Sequence, residues 1–182
     1  MKDKVIDASS NFQFSLPISS DFILNFLTEL QIPYQLFEHV PLRTVADSKK
    51  MEGLFLSKNQ GAGHIKNLYL RDAKKRNILL VAEQDCDIDL KLLPPLLNTK
   101  RLSFGSSERL FTNLGVRPGA VTPLSMITGV NNSVTLFVQS KLRNCVMLYL
   151  HPLVNDRTIS ISIDNLDKFI KSIGSEINWI DF

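Results

Sequence analysis

Two hydrophobic rhythms divide this chain. Ile23, Phe26, Leu27 and Leu30 fall at i, i+3, i+4 and i+7, the spacing of one helix face. Ser20 or Asp21 is placed to cap that helix, and Pro33 ends it. Residues 34–39 read as a strand, and Thr44 caps a short helix reaching about Gly53. Residues 66–71 and 77–83 have strand character, joined by the basic turn Ala73-Lys74-Lys75-Arg76. Residues 89–98 carry helical spacing, but Pro94-Pro95 forces any helix there to break or restart. A brief strand is expected at 101–104. Ser106 then opens a helix that Gly115 closes, the usual asymmetry of caps. Strands follow at 133–139, 144–150 and 157–162. Asp164 caps a helix that turns Leu166, Phe169, Ile170 and Ile173 inward before Gly174, and 177–181 form a last strand.

Strands and helices interleave irregularly in this order, without a regular βαβ alternation. That predicts an α+β domain with a mixed, mostly antiparallel, barrel-like sheet flanked by helices. No Gly-x-Gly-x-x-Gly follows a strand, so a doubly wound dinucleotide fold is not expected. At 182 residues the chain fits one domain with a full core. Residues 1–20 are polar and mixed in charge and read as a loose extension, leaving 21–182 as the domain.

Composition narrows the function classes. No apolar run approaches the roughly 20 residues needed to span a bilayer, and the N-terminus lacks a signal-peptide core. The two cysteines, Cys86 and Cys145, have neither metal-ligand spacing nor a disulfide framework, which points to a reducing cytoplasm. A formal net charge of +3 suits an anionic partner touched at few points. The chain lacks a Gly-x-Ser-x-Gly elbow, a Cys-x-x-Cys, a His-Glu-x-x-His and a phosphate-cradling loop. Glu83, Asp85, Asp87 and Asp89 read as a solvated acidic loop, because the glycine of a calcium loop is missing. His39, His64 and His151 are far apart, so neither a metal nor another cofactor is expected.

Three segments carry candidate chemistry. A small-residue loop, Gly61-Ala62-Gly63, runs into His64-Ile65-Lys66-Asn67, and a lysine there lets a substrate come close to a compact positive charge. Gly119-Ala120-Val121-Thr122-Pro123 forms a rigid turn. His151-Pro152 opens a third loop. A lysine, a rigid loop and a histidine suit a polyanionic, ester-bearing substrate better than a nucleophilic triad.

These residues also carry a resemblance. His39 with Thr44-Val45, residues 63–70, Lys100-Arg101-Leu102-Ser103-Phe104-Gly105-Ser106, residues 114–123, and His151-Pro152 with Asn155 and Thr158 resemble, in order and spacing, the YbaK-like superfamily of aminoacyl-tRNA editing domains. The likeness runs from about Asp21 to Asp181. It is strongest to the free-standing prolyl-tRNA editing proteins (the ProX group), which are similar to the insertion domain of bacterial prolyl-tRNA synthetase. The resemblance implies a hydrolase that clears mischarged tRNA for proline, most directly alanyl-tRNA, without a cofactor. The alternatives are another target such as cysteinyl-tRNA for proline, or a tRNA-binding adaptor without chemistry. It further implies that Lys66 holds the 3′-terminal adenosine with support from Asn67. Gly119, Ala120, Val121, Thr122 and Pro123 would wall the amino-acid pocket and offer backbone N–H groups to the oxyanion. His151 would face them across the pocket. Thr44 is carried over as a substrate-binding residue, and Arg101 would reach the acceptor stem. The implied partner is the 3′ end of tRNA, with prolyl-tRNA synthetase as a candidate docking partner. Two positions depart from the pattern: Ile65 stands where many relatives have threonine or cysteine, and Pro94-Pro95 interrupts its segment.

Overall fold

The computed structural model describes residues 6–42 and 44–182. Within these residues eight strands form one sheet: β1 (Gln35–Glu38), β2 (Ala62–Asp72), β3 (Asn77–Glu83), β4 (Leu102–Phe104), β5 (Val134–Gln139), β6 (Met147–Leu150), β7 (Arg157–Ile161) and β8 (Asn178–Ile180). Their order is β1-β7-β6-β2-β3-β5-β8, with β4 added to β2. Four pairings are antiparallel and three, β2 with β6, β3 with β5 and β5 with β8, are parallel. The mixed α+β class expected from the element order is what forms. The sheet stays open rather than closing as a barrel, because β1 and β8 end its two edges.

Among the described residues five α-helices accompany it: α1 (Ser20–Glu29), α2 (Val45–Met51), α3 (Ser107–Leu114), α4 (Met126–Gly129) and α5 (Ile163–Ser172). The apolar stripes of α1 and α5 meet one sheet face. Ile23, Leu27, Leu166, Phe169 and Ile170 are fully buried there with Leu79, Val81, Leu136 and Ile159. Each such side chain contributes roughly 1.5–3 kcal/mol relative to exposure. A smaller core on the opposite face joins Leu70, Ile78 and Leu80 to Leu93, Leu97 and Leu102.

Caps differ from expectation by one or two residues. Ser19, not Ser20 or Asp21, caps α1 by accepting from the Phe22 N–H. Ser162, not Asp164, caps α5 by accepting from the Asn165 N–H. In both cases the residue with extended backbone lies where its hydroxyl reaches the first turn, and the acid inside that turn complements the helix dipole. Ser106 and Gly115 bound α3 as expected, Gly115 at φ +68°. Residues 89–98 form successive turns and no helix. Pro94 and Pro95 donate no N–H, and the segment closes instead through Leu97 N–H to the Leu93 carbonyl and Thr99 N–H to the Pro94 carbonyl.

Residues 6–19, on the N-terminal side of α1, lie against the domain. Ser10 donates from both its backbone N–H and its hydroxyl to the Asp156 carboxylate, at 2.8 and 2.7 Å. The Ala8 carbonyl accepts from the Asn155 N–H, and Ala8, Ser9 and Gln13 are buried.

Candidate active site at a fork in the sheet

Strands β2 and β6 run parallel and pair only at Ala62 with Met147, Gly63 with Leu148 and His64 with Tyr149. Beyond these rungs they separate, and β2 continues as the partner of β3 and β4. Gly63 permits the close approach: a Cβ there would stand 2.3 Å from Leu148 Cδ2 and 2.9 Å from the Cys145 sulfur. The fork opens where β6 ends and β2, only three residues into its run, continues without it.

Lys66 and His151 flank that opening. His64 stacks on Tyr149 at 5.2 Å, so these two share a sheet face. Lys66 lies two residues beyond the His64 rung on β2, and His151 two beyond the Tyr149 rung, just past the end of β6. Lys66 is half-buried and donates to the Cys86 carbonyl, which aims its ammonium along the face and leaves two further N–H donors. Asn67 points to the other face, beside Ile65 and Tyr69 of the main core. Its Oδ1 is buried without a hydrogen-bond partner, as is Oδ1 of Asn155 in the loop that His151 opens. Two unsatisfied acceptors on the segments bordering one fork are uncommon in a folded chain.

The tautomers follow from the partners. His151 Nδ1 lies 2.8 Å from the Arg157 carbonyl, which only accepts, so Nδ1 carries the proton and Nε2 keeps its lone pair. His39 Nδ1 donates likewise to the Val40 carbonyl at 2.8 Å, and its Nε2 accepts from the Thr158 hydroxyl at 2.8 Å. The two rings stand 6.1 Å apart. Burial lowers the pKa of His151 below its ordinary 6.5, the nearby His39 pushes the same way, and the Arg157 carbonyl and Asp156 oppose. The unfolded chain therefore binds this proton first. The contribution of His151 to stability is present above pH 6.5 and lost as the pH falls below it. By NMR the His151 ring is expected to titrate with a midpoint under 6.5; a midpoint above it would contradict the buried neutral ring.

The loop at 119–123 owes its shape to its own residues. Gly119 sits at φ +92°, a backbone reserved in practice for glycine, and the Ala120 N–H closes the turn on the Arg117 carbonyl at 3.0 Å. Pro123 opens a 3-10 turn that Thr122 caps. Ala120 and Thr122 are fully buried and Val121 packs on the main core, so these side chains are spent on the fold and leave the backbone as the part of the loop free to meet a ligand. Among the described residues, the N–H groups of Gly119 and Val121 meet no carbonyl of another turn or loop. Gly119 lines a cavity of about 400 Å³ with Asn155, Arg117, Asp7 and Ala8, which links the loop to the far side of the His151 segment.

The remaining candidates lie apart. Thr44 is exposed and caps α2, exchanging hydrogen bonds with Asp47. Arg101 is exposed at the opposite end of β2, where its carbonyl accepts from the Ala73 N–H. Glu83 and Asp85 are engaged with lysines: Lys58 bridges both, and Lys49 lies 2.6 Å from Asp85, whose pKa these ammonium groups hold down at about 2. Among the described residues no group of three or more His, Cys, Asp or Glu side chains could hold a metal ion.

Comparison with known proteins decides the family. The model of the aminoacyl-tRNA editing domain matches residues 39–169. The prolyl-tRNA editing protein ProX of Acetoanaerobium sticklandii is 35% identical over 159 residues, covering 85% of this chain and 92% of that protein. The chain belongs to the aminoacyl-tRNA editing domain family. It is accordingly a hydrolase of aminoacyl-tRNA. The prolyl-tRNA synthetase associated domain-containing protein 1 of Danio rerio is 29% identical, over 80% of this chain and 78% of its own length. A crystal structure of a protein proposed as a trans-editing enzyme for prolyl tRNA synthetase superposes with a TM-score of 0.64 at 15% identity. It covers 90% of this chain and 97% of that one and bears on the fold alone.

For an editing domain, the residues that sequence pattern alone left without a role are informative. The Tyr149 hydroxyl oxygen accepts from the Leu56 N–H, and His64 Nε2 donates to the Leu56 carbonyl, so both pin the segment after α2 over the face of Lys66. His64 is 6% exposed and structural. The Cys86 carbonyl, which positions Lys66, has no side-chain signature by which sequence could have found it.

Proposed function

We propose that this editing domain, residues 21–182, hydrolyses the ester of alanyl-tRNA for proline in trans, in the cytoplasm. The observation that carries the reading is the fork, where Lys66 and His151 each follow the last rung of the β2–β6 pairing by two residues, His151 with its lone pair on Nε2. The names of the two relatives, both tied to prolyl-tRNA, support proline as the cognate amino acid. Lys66 takes the phosphate or ribose of the terminal adenosine, whereas the supporting contact expected of Asn67 does not fit its place on the other face of β2. The uncommitted N–H groups of Gly119 and Val121 suit the oxyanion that forms as the carbonyl is attacked. His151, neutral with its lone pair on Nε2, accepts a hydrogen bond from the aminoacyl group or from the attacking hydroxyl. The nucleophile is water or the neighbouring ribose hydroxyl, since an aminoacyl ester needs positioning more than covalent help. Thr44 and Arg101 contact tRNA outside this centre, and prolyl-tRNA synthetase is the protein partner we assign.

Alanine is the substrate for a physical reason. A synthetase pocket built for proline gains only about 1–3 kcal/mol against a side chain lacking a few carbons, so the smaller residue slips through. A second pocket too small for proline completes the sieve. Deacylation of a panel of mischarged tRNAs tests the proposal, and a preference for cysteinyl-tRNA would redirect it.

A further inference from the structure

A second feature of β2 lies at its other end. The turn Ala73-Lys74-Lys75-Arg76 and the loop through Lys100 and Arg101 are welded by Asp72, whose side chain is 1% exposed. Asp72 accepts from the Lys74 and Arg76 N–H groups at 2.8 Å each, from Arg76 Nε at 2.6 Å and from the Thr99 hydroxyl at 3.0 Å. Arg76 thereby neutralises the one acid of the cluster. Lys74, Lys75, Lys100 and Arg101 are exposed and form no ion pair among the described residues. Next to this platform stands Phe104, 65% exposed. Its register partner is Leu70, so it shares a face with Lys66. Gly105 fixes it there: the Gly105 N–H donates to the Tyr69 carbonyl, and a Cβ at 105 would stand 2.1 Å from the Tyr69 ring.

Distances along the strand make these parts one track. From Lys66 to Leu70 is four residues, roughly 13 Å at ~3.3 Å per residue. That equals about four stacked nucleotides at ~3.4 Å each. From Ile65 to Leu68 β2 pairs with no described strand on the edge facing the fork, and β4 takes up that edge again at Leu70. We propose that β2 is a ruler for an RNA 3′ end. The ester lies at Lys66, the unpaired nucleotides follow the open edge, the fourth base stacks on Phe104, and the phosphates of the first base pairs meet Lys74, Lys75, Lys100 and Arg101. An aromatic stacking platform beside a basic groove is how single strands are held without reading their sequence. This deepens the deacylase reading and rests on it for the position of the ester.

The test compares three substrates or ligands. Uncharged tRNA is bound and followed by fluorescence anisotropy, alanyl-tRNA is deacylated, and the alanyl ester of adenosine alone is deacylated. Phe104→Ala is expected to weaken tRNA binding about ten-fold or more, to raise KM for alanyl-tRNA in parallel, and to leave the adenosine ester unaffected. Phe104→Leu keeps the bulk without an aromatic face and should behave like Ala, whereas Phe104→Trp should restore binding. The Lys74→Ala, Lys75→Ala double variant should flatten the salt dependence of tRNA binding by about 1.4–1.8 in logarithmic slope. Unchanged tRNA affinity in Phe104→Ala would overturn the track, as would an equal loss on tRNA and on the adenosine ester. A protein that binds tRNA through Phe104 yet cleaves no aminoacyl ester would sink the deacylase reading and leave the track standing.

Discussion

Lys66→Ala is expected to lower kcat/KM for alanyl-tRNA by roughly 10²–10³-fold, the cost of removing one charged donor aimed at the reacting ester. The fold should scarcely notice. The ammonium makes one hydrogen bond, to the Cys86 carbonyl, and Cys86 is only half-buried, so water can replace the donor. Such a loss is worth about 1 kcal/mol or less. Lys66→Arg should recover little, because a planar fork cannot take the place of a compact ammonium on the same short reach. Kinetics read beside thermal melting separate the outcomes: activity lost with Tm kept places Lys66 in the chemistry, whereas a collapse of Tm makes it structural.

The largest effect on stability is expected at Asp72. Replacing it with Ala strands the Lys74 and Arg76 N–H groups, the Thr99 hydroxyl and the Arg76 guanidinium at once. Water can reach the half-exposed Arg76 guanidinium, but each donor left without its buried acceptor costs roughly 1–3 kcal/mol, and a loss of about 3 kcal/mol lowers Tm by roughly 6–12 °C in a chain of this size. The pH dependence supplies a check. Burial alone would raise the Asp72 pKa, but hydrogen bonds from Arg76 and Thr99 outweigh it and hold the group below its ordinary 3.8. Its stabilisation is thus present above pH 3.8 and lost as the pH falls through that value. The stability gap between wild type and Asp72→Asn should narrow in acid; a gap that widens there would refute the assignment.

Local physics made much of this architecture legible. The stripe at Ile23, Leu27 and Leu30 and the Ser106–Gly115 pair follow from helix geometry and capping, which depend on neighbours in sequence. The residues expected to act, Lys66 and His151, could be singled out by type, but their place beside one fork could not. It depends on the parallel pairing of His64 with Tyr149, a contact across 85 residues that no local rhythm records. Thr122 shows the converse. It stands in the loop expected to wall the pocket, yet its hydroxyl is spent on capping, a competition that appears only once the turn at Gly119 is built. The role of Asp72 was hidden for the same reason, since its partners at Thr99 and Arg76 come from two separate loops.

The central claim, that the fork is a sieve for a side chain smaller than proline, meets its most direct test in one competition. The purified protein is given tRNA for proline charged with alanine and the same tRNA charged with proline, and ester hydrolysis is followed for both. Rapid loss of alanine with prolyl-tRNA left intact is the result predicted here; equal rates on the two, or no hydrolysis of either, would contradict it.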